Sequence, residues 1–322
     1  MKQIIDFPCI PFAQLPTPLY KLENLSREIG KNIYIKRDDM TGVALGGNKV
    51  RKLEFLLADA RNKGADVILT AGGPQSNHAM LTAACAGQLG MKSILVLKKR
   101  GKLTGGNLIL DDIFGAEVRM VDTDSYDDVY AEMERIMEQL RAQGHIPYAI
   151  PVGSSVPLGS LGYVNCVKEI ANQAQELGVV FDVIVSAAGS GGTYAGLTLG
   201  AKLFLPGTRS IGIGICDDPF AEIAMELTSG AAELLETDVR VTREDIHIHY
   251  CIGSGYAIPS PEGCAAVRRL ARTEGILTDP VYTGKALAGF FQLLEEGAFD
   301  QDEDILFVHT GGAGALFAVE MV

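Results

Sequence analysis

The stretch Gly46-Gly47-Asn48-Lys49-Val50-Arg51-Lys52-Leu53-Glu54 places two glycines ahead of a lysine at the head of an amphipathic helix. Paired glycines let the backbone approach a flat ligand closely, and the N-terminal end of a helix disfavours an ammonium group. A lysine held neutral attacks an aldehyde and forms a Schiff base. The bland reading is an ordinary helix start with a solvated basic patch, since Lys49, Arg51 and Lys52 fall within four residues. A nucleotide-type phosphate loop fits poorly, because Asn48 separates the glycine from the lysine and Val50 stands where a metal-binding hydroxyl is needed.

Three further loops follow apolar runs. Val183–Ala187 leads into Ala188-Gly189-Ser190-Gly191-Gly192-Thr193, whose N–H groups at a helix start suit one phosphate; a plain tight turn is the alternative. It is no dinucleotide fingerprint, because Tyr194 occupies the last glycine position. In Gly72-Gly73-Pro74-Gln75-Ser76-Asn77-His78, Ser76 and Asn77 read either as N-caps or as a clamp for a substrate carboxylate. In His309-Thr310-Gly311-Gly312, the Thr310 hydroxyl is suited to a ring nitrogen. Tyr256 and Tyr282 stand in loops, where most tyrosines are packing residues. The five histidines form no ligand cluster; His247 and His249 read as structural, and no metal is expected.

The formal charge of −12, from 40 acids against 28 bases, argues against nucleic acid and acidic membranes as partners. Six scattered cysteines without metal or redox spacing read as buried small hydrophobes of a reducing cytosol. No export signal is expected, since Asp6 and Pro8 interrupt any apolar run. The longest uncharged run, Val183 to Ala201, carries five glycines and reads as strand, loop and helix rather than a membrane span.

The elements that must position these loops alternate. After an irregular arm and short helix over 1–31, strands are expected at 32–37, 67–71, 93–98, 117–122, 148–152, 182–187, 210–216, 246–251 and 305–309. Helices are expected between most of them, which implies parallel sheets covered on both faces. At 322 residues, two α/β sheet units are easier to build than one.

With these stretches in hand, the chain closely resembles the D-cysteine desulfhydrase and 1-aminocyclopropane-1-carboxylate deaminase family of pyridoxal-phosphate enzymes. That family shares the tryptophan synthase β-subunit fold, called fold type II. The resemblance runs from about Leu15 to the C-terminus. It rests on Ile35-Lys36-Arg37-Asp38-Asp39, on Gly46–Lys49 with Arg51-Lys52-Leu53-Glu54, on Gln75–His78, on Gly192-Thr193 with Ala195-Gly196, on Asp279–Lys285 and on His309–Gly312.

It implies two open, twisted parallel-sheet domains, with a large cofactor-binding domain at 1–51 and 164–322 and a smaller inserted domain at 52–163. It implies pyridoxal 5'-phosphate as cofactor, Lys49 as the Schiff-base lysine, and Lys52 with Gly189, Ser190, Gly191, Gly192 and Thr193 on the phosphate. Asn77 would face the ring hydroxyl and Thr310 the pyridine nitrogen. Ser76, Asn77 and His78 would hold the substrate, flanked by Tyr256 and Tyr282; Lys49, Ser76 and the two tyrosines are the catalytic candidates. The implied reaction is β-elimination on a small D-amino acid, D-cysteine to pyruvate, ammonia and hydrogen sulfide, in a cytoplasmic homodimer. Alternatives are elimination on another β-substituted amino acid such as L-cysteate, ring opening of 1-aminocyclopropane-1-carboxylate, or cofactor binding without turnover. The family's deaminases resemble one another in carrying Glu after the Tyr of Pro-Val-Tyr and Leu after the final His. Thr283 and Thr310 stand there instead, which favours the desulfhydrase branch.

Overall fold

The computed structural model describes residues 1–99 and 105–321. The chain begins with β1 (Leu19–Lys21), α1 (Glu23–Ile29), β2 (Asn32–Arg37) and α2 (Lys49–Asn62). It continues through β3 (Val67–Gly72), α3 (Asn77–Gln88), β4 (Lys92–Lys98), α4 (Asn107–Ile113), β5 (Glu117–Val121), α5 (Tyr126–Ala142) and β6 (Pro147–Ile150). The remainder is α6 (Pro157–Leu177), β7 (Val183–Ala188), α7 (Gly192–Phe204), β8 (Arg209–Gly214), α8 (Phe220–Leu234), β9 (His247–Tyr250), α9 (Pro261–Glu274), α10 (Thr283–Glu295) and β10 (Asp304–His309).

Among the described residues these strands form a six-stranded sheet in the order β1-β2-β10-β7-β8-β9 and a four-stranded sheet in the order β5-β4-β3-β6. The smaller sheet is parallel throughout. The larger is parallel from β2 to β9, but β1 runs antiparallel to β2 with Leu19 opposite Lys36. This edge strand corrects the irregular arm expected over 1–31. Three residues behind Pro16 and Pro18 are too short to show a two-residue period.

Alternation along the central strands builds both faces of the larger sheet. Val183, Val185, Ile305 and Phe307 bury against α9 and α10, while Ile184, Leu306 and Val308 bury on the opposite face with Tyr163 and Val167 of α6. The buried face of α2, including Leu53, Leu56 and Leu57, packs with Met80 and Leu81 of α3 and Ile150 of β6. α2 and α6 thus lie between the two sheets, and the C-terminal ends of β2, β3, β7 and β10 lead into the loops that line one cleft.

Candidate active site

Lys49 is the first residue of α2, and the turn before it is shaped by contacts that only glycine permits. Gly46 has φ +71°, and a Cβ there would lie 1.8 Å from the Asp39 carbonyl oxygen. The Asn48 N–H donates to the Thr310 carbonyl over 3.1 Å, and its side-chain Nδ2 donates to Thr193 Oγ1 over 2.9 Å. Three loops distant in sequence are thereby joined around Lys49.

The Lys49 amine lies 3.3 Å from the Gly153 carbonyl and 3.5 Å from Ser190 Oγ. Burial, by loss of solvent around the ammonium, lowers its pKa to about 8. Two residues along, Arg51 is fully buried. It pairs with both oxygens of Asp38 at 2.7 and 2.8 Å and with Glu169 of α6 at 3.0 Å. Lys36 completes the cluster on Glu169, and Tyr163 and Thr17 donate to Asp38. The motifs at 35–39 and 51–54 thus anchor the start of α2 rather than face a ligand.

A cavity of about 600 Å³ opens beside Lys49. Lys49, Ser76, Asn77 and His78 line it together with Gly189, Ser190, Gly191, Thr193, Tyr256, Tyr282 and Thr310. Gly191 has φ +81°, and a Cβ there would press on Ile223 at 2.5 Å. Ser155 Oγ, reached by the Gly192 N–H over 3.2 Å, donates to Ser190 Oγ over 2.9 Å and so braces the loop. Lys52 is fully buried behind that loop, on the Gly153 carbonyl at 2.6 Å and Ser155 Oγ at 3.3 Å. Burial and the neighbouring Lys49 push its pKa well below the usual lysine value. Its amine stands 2.5 Å from where a Cβ on Gly192 would lie, directly against the glycine loop.

Ser76 caps α3, accepting the Ala79 N–H over 3.2 Å, as the N-cap reading expects, and it also lines the cavity. Its hydroxyl proton and the first N–H groups of α3 are suited to an anion. His78 lines the cavity while its ring nitrogens are turned to the protein. Its Nε2 meets Thr70 Oγ1 at 2.7 Å and its Nδ1 meets Ser154 Oγ at 3.2 Å, so both ring nitrogens are engaged by protein hydroxyls. Burial, with Lys49 and Lys52 nearby, keeps it neutral.

The Tyr256 and Tyr282 hydroxyls are hydrogen-bonded to each other, with the rings edge to face at 5.9 Å. Burial raises both pKa values, so both phenols keep their protons. Asp279 accepts the N–H groups of Val281, Tyr282 and Thr283 at 2.7 to 2.9 Å, and Lys285 donates to the carbonyls of Ile252 and Gly255 at 2.8 and 2.6 Å. One turn of chain therefore braces both tyrosines. Thr283 lies beside the chain that follows Thr310, its hydroxyl 3.4 Å from the Gly311 carbonyl. It is fully buried outside the cavity lining, and its hydroxyl donates to Asp279 Oδ1 over 2.7 Å.

Sequence reading missed Tyr126, Cys216, Asp217 and Asp218, which also line the cavity. The last three follow the C-terminal end of β8, a position that alone marks a candidate in parallel sheets. Among the described residues no group of three or more His, Cys, Asp or Glu is placed to hold a metal ion, and no helix is long and apolar enough to cross a membrane. All six cysteines are free, and Cys9, expected to be buried, is exposed.

The family described as pyridoxal-phosphate dependent enzyme matches residues 10–311. A D-cysteine desulfhydrase of Yersinia pestis (strain Pestoides F) is 43% identical, the match covering 98% of this chain and 97% of that protein. A Pyrococcus horikoshii protein provisionally named 1-aminocyclopropane-1-carboxylate deaminase is 44% identical over 98% of this chain and 94% of that one. A crystal structure of an ACC deaminase homologue superposes with a TM-score of 0.91 at 42% identity, covering 98% of this chain and 95% of that one.

Proposed function

The chain belongs to the pyridoxal-phosphate dependent enzymes, and we propose that it is a lyase that eliminates the β-substituent of a small amino acid, most directly D-cysteine. The overall reaction takes D-cysteine and one water to pyruvate, ammonia and hydrogen sulfide. The observation that carries it is the depressed Lys49 amine in the same cavity as the protonated Tyr256–Tyr282 pair.

The residues present suit the cofactor. A partly neutral amine faces the cavity, the glycine loop at the start of α7 brings Gly189, Ser190, Gly191 and Thr193 to its lining, and Thr310 stands on the wall. When bound, pyridoxal phosphate supplies an electron sink for the carbanion left by loss of the α-proton. Lys49 would hold the cofactor aldehyde and, once released, take the α-proton at Nζ. Gly189 to Thr193 would hold the phosphate, with Lys52 supporting the loop through Ser155. Asn77 would meet the ring hydroxyl and Thr310 the ring nitrogen. Ser76 and the α3 N–H groups would orient the substrate carboxylate. Tyr256 and Tyr282 flank the substrate and are suited to deliver a proton toward the departing sulfur.

A hydroxyl at Thr310 leaves the ring nitrogen without a carboxylate partner, and elimination of a good leaving group tolerates the weaker sink. Ring opening is the second reading, favoured by the names of the Pyrococcus relative and of the crystallised homologue. Sulfide release from D- and L-cysteine, assayed beside turnover of L-cysteate and 1-aminocyclopropane-1-carboxylate, tests the proposal; sulfide from neither cysteine enantiomer rejects it. The proposal includes a homodimer in the cytoplasm, which light scattering and cell fractionation read. It also includes an inserted domain at about 52–163, whose two boundaries fall inside α2 and α6.

A further inference from the structure

Asn107 opens α4 in the part of the chain that carries the smaller sheet, and it is fully buried. Its backbone N–H donates to Gln75 Oε1 over 2.9 Å. Its side-chain Nδ2 donates twice, to the Gln75 carbonyl over 3.0 Å and to Asn77 Oδ1 over 2.8 Å. Among the described residues its Oδ1 has no partner, and it abuts Gly314, where a Cβ would approach to 2.2 Å.

These contacts determine which way two amides face. The Gln75 carbonyl belongs to the backbone and can only accept, so the nitrogen of Asn107 must point to it. The second proton on that nitrogen then points at Asn77, which must present its oxygen. The Asn77 amino group is left for the opposite side, and Asn77 lines the cavity that holds Lys49 and Thr310. We propose that Asn107 is a positioning residue that locks the Asn77 amide with its N–H donors toward the ligand, so that this wall recognises an anionic oxygen. The proposal rests on the cofactor reading above, in which that oxygen is the ring hydroxyl of pyridoxal phosphate.

The lock has a sign that a purely structural role lacks. Asn107→Asp offers Asn77 an acceptor, so the Asn77 amide turns its amino group away from the cavity and its carbonyl into it. Asn107→Ala only frees the amide. The test titrates each full-length apoprotein with pyridoxal phosphate and follows both the affinity and the pH at which the bound cofactor's visible band titrates.

Asn107→Asp is expected to lose affinity by about tenfold or more, with Asn107→Ala losing less, because a hydrogen bond to an anionic oxygen becomes a repulsion. The band should titrate at higher pH in Asn107→Asp, since an oxygen without its donor is more basic. Asn77→Asp keeps the acceptor for Asn107 and so keeps the loop folded, yet it offers the ligand no donor and should reproduce the shift. In an Asn77→Ala background, the Asn107 substitutions should add nothing further. A wild type with the visible band beside an Asn107→Asp variant of equal affinity and unshifted band overturns the lock alone. Additive effects in the Asn77→Ala background overturn it too. A wild type that develops no visible band with pyridoxal phosphate rejects the cofactor reading, and the proposal falls with it.

Discussion

Asn48 Nδ2 donates to Thr193 Oγ1 over 2.9 Å, so the residue before Lys49 is tied to the loop that opens α7, 145 positions away. The amine and the glycine loop therefore keep a constant separation although they leave different strands. Lys49 is consequently held by its neighbours more than by its own contacts, and its replacement is expected to spare the fold.

Lys49→Ala should abolish activity and the visible band of bound cofactor while thermal unfolding changes little. In the wild-type apoprotein, cofactor uptake should accelerate as pH rises through about 8, because the amine becomes neutral there. Stopped-flow uptake against pH checks this, and a flat profile would reject the buried-amine account.

Gly191→Asp places a carboxylate against the proposed phosphate position on a backbone at φ +81°, with Ile223 in the way. Affinity for pyridoxal phosphate should fall by at least about tenfold, from like-charge repulsion in a site of backbone donors. Gly191→Ala isolates the steric part. Unchanged affinity in a spectral titration of the aspartate variant would show that the phosphate binds elsewhere.

Arg51→Met removes the cation that neutralises Asp38 and Glu169 in a buried cluster. The carboxylates then lack their partner, and the expected loss is on the order of 3 to 5 kcal/mol in denaturant unfolding. Arg51→Lys should recover only part of this, since one ammonium cannot reproduce the paired contacts with Asp38.

Asp111 is buried on α4 with Oδ1 unpartnered among the described residues, and burial pushes its pKa up to about 7. The folded state binds this proton more tightly than the unfolded chain, so its contribution to stability falls as pH rises from the ordinary carboxylate range to about 7. Asp111→Asn should therefore be more stable than wild type at pH 8, by on the order of 4 kcal/mol. The advantage should shrink below about pH 7 and vanish below about pH 4. Calorimetry across that range decides it; an equal gap at every pH would exclude titration as the cause.

The branch residues separate once their surroundings are known. Thr310→Leu changes a cavity wall and should lower sulfide release with the fold intact. Thr283→Glu instead brings a carboxylate beside Asp279, whose own pKa is already raised by burial, so that substitution should destabilise the protein. Melting curves and sulfide assays of the two single variants check the contrast. Near-normal stability of Thr283→Glu would mean that the new carboxylate reaches the cavity.

The strand and helix pattern was legible because apolar runs such as Val183–Ala188 and the face of α2 carry the period of their structure. The glycine loops and the place of Lys49 at the head of α2 were legible because special backbone chemistry is written in local residue types, whereas Tyr256 and Tyr282 read locally as packing residues and only the family resemblance pointed to the site. β1 was hidden because its partner, β2, supplies the hydrogen bonds that three residues cannot signal alone. His78 and Thr283 took roles that local pattern does not specify, since the hydroxyls of Thr70 and Ser154 and the carboxylate of Asp279 reach them only in the folded chain. Asn107 carries no motif at all. Its contact with Asn77 spans 30 positions, and the direction of that amide follows from which neighbour can only accept a proton, a fact that exists only once the two loops meet.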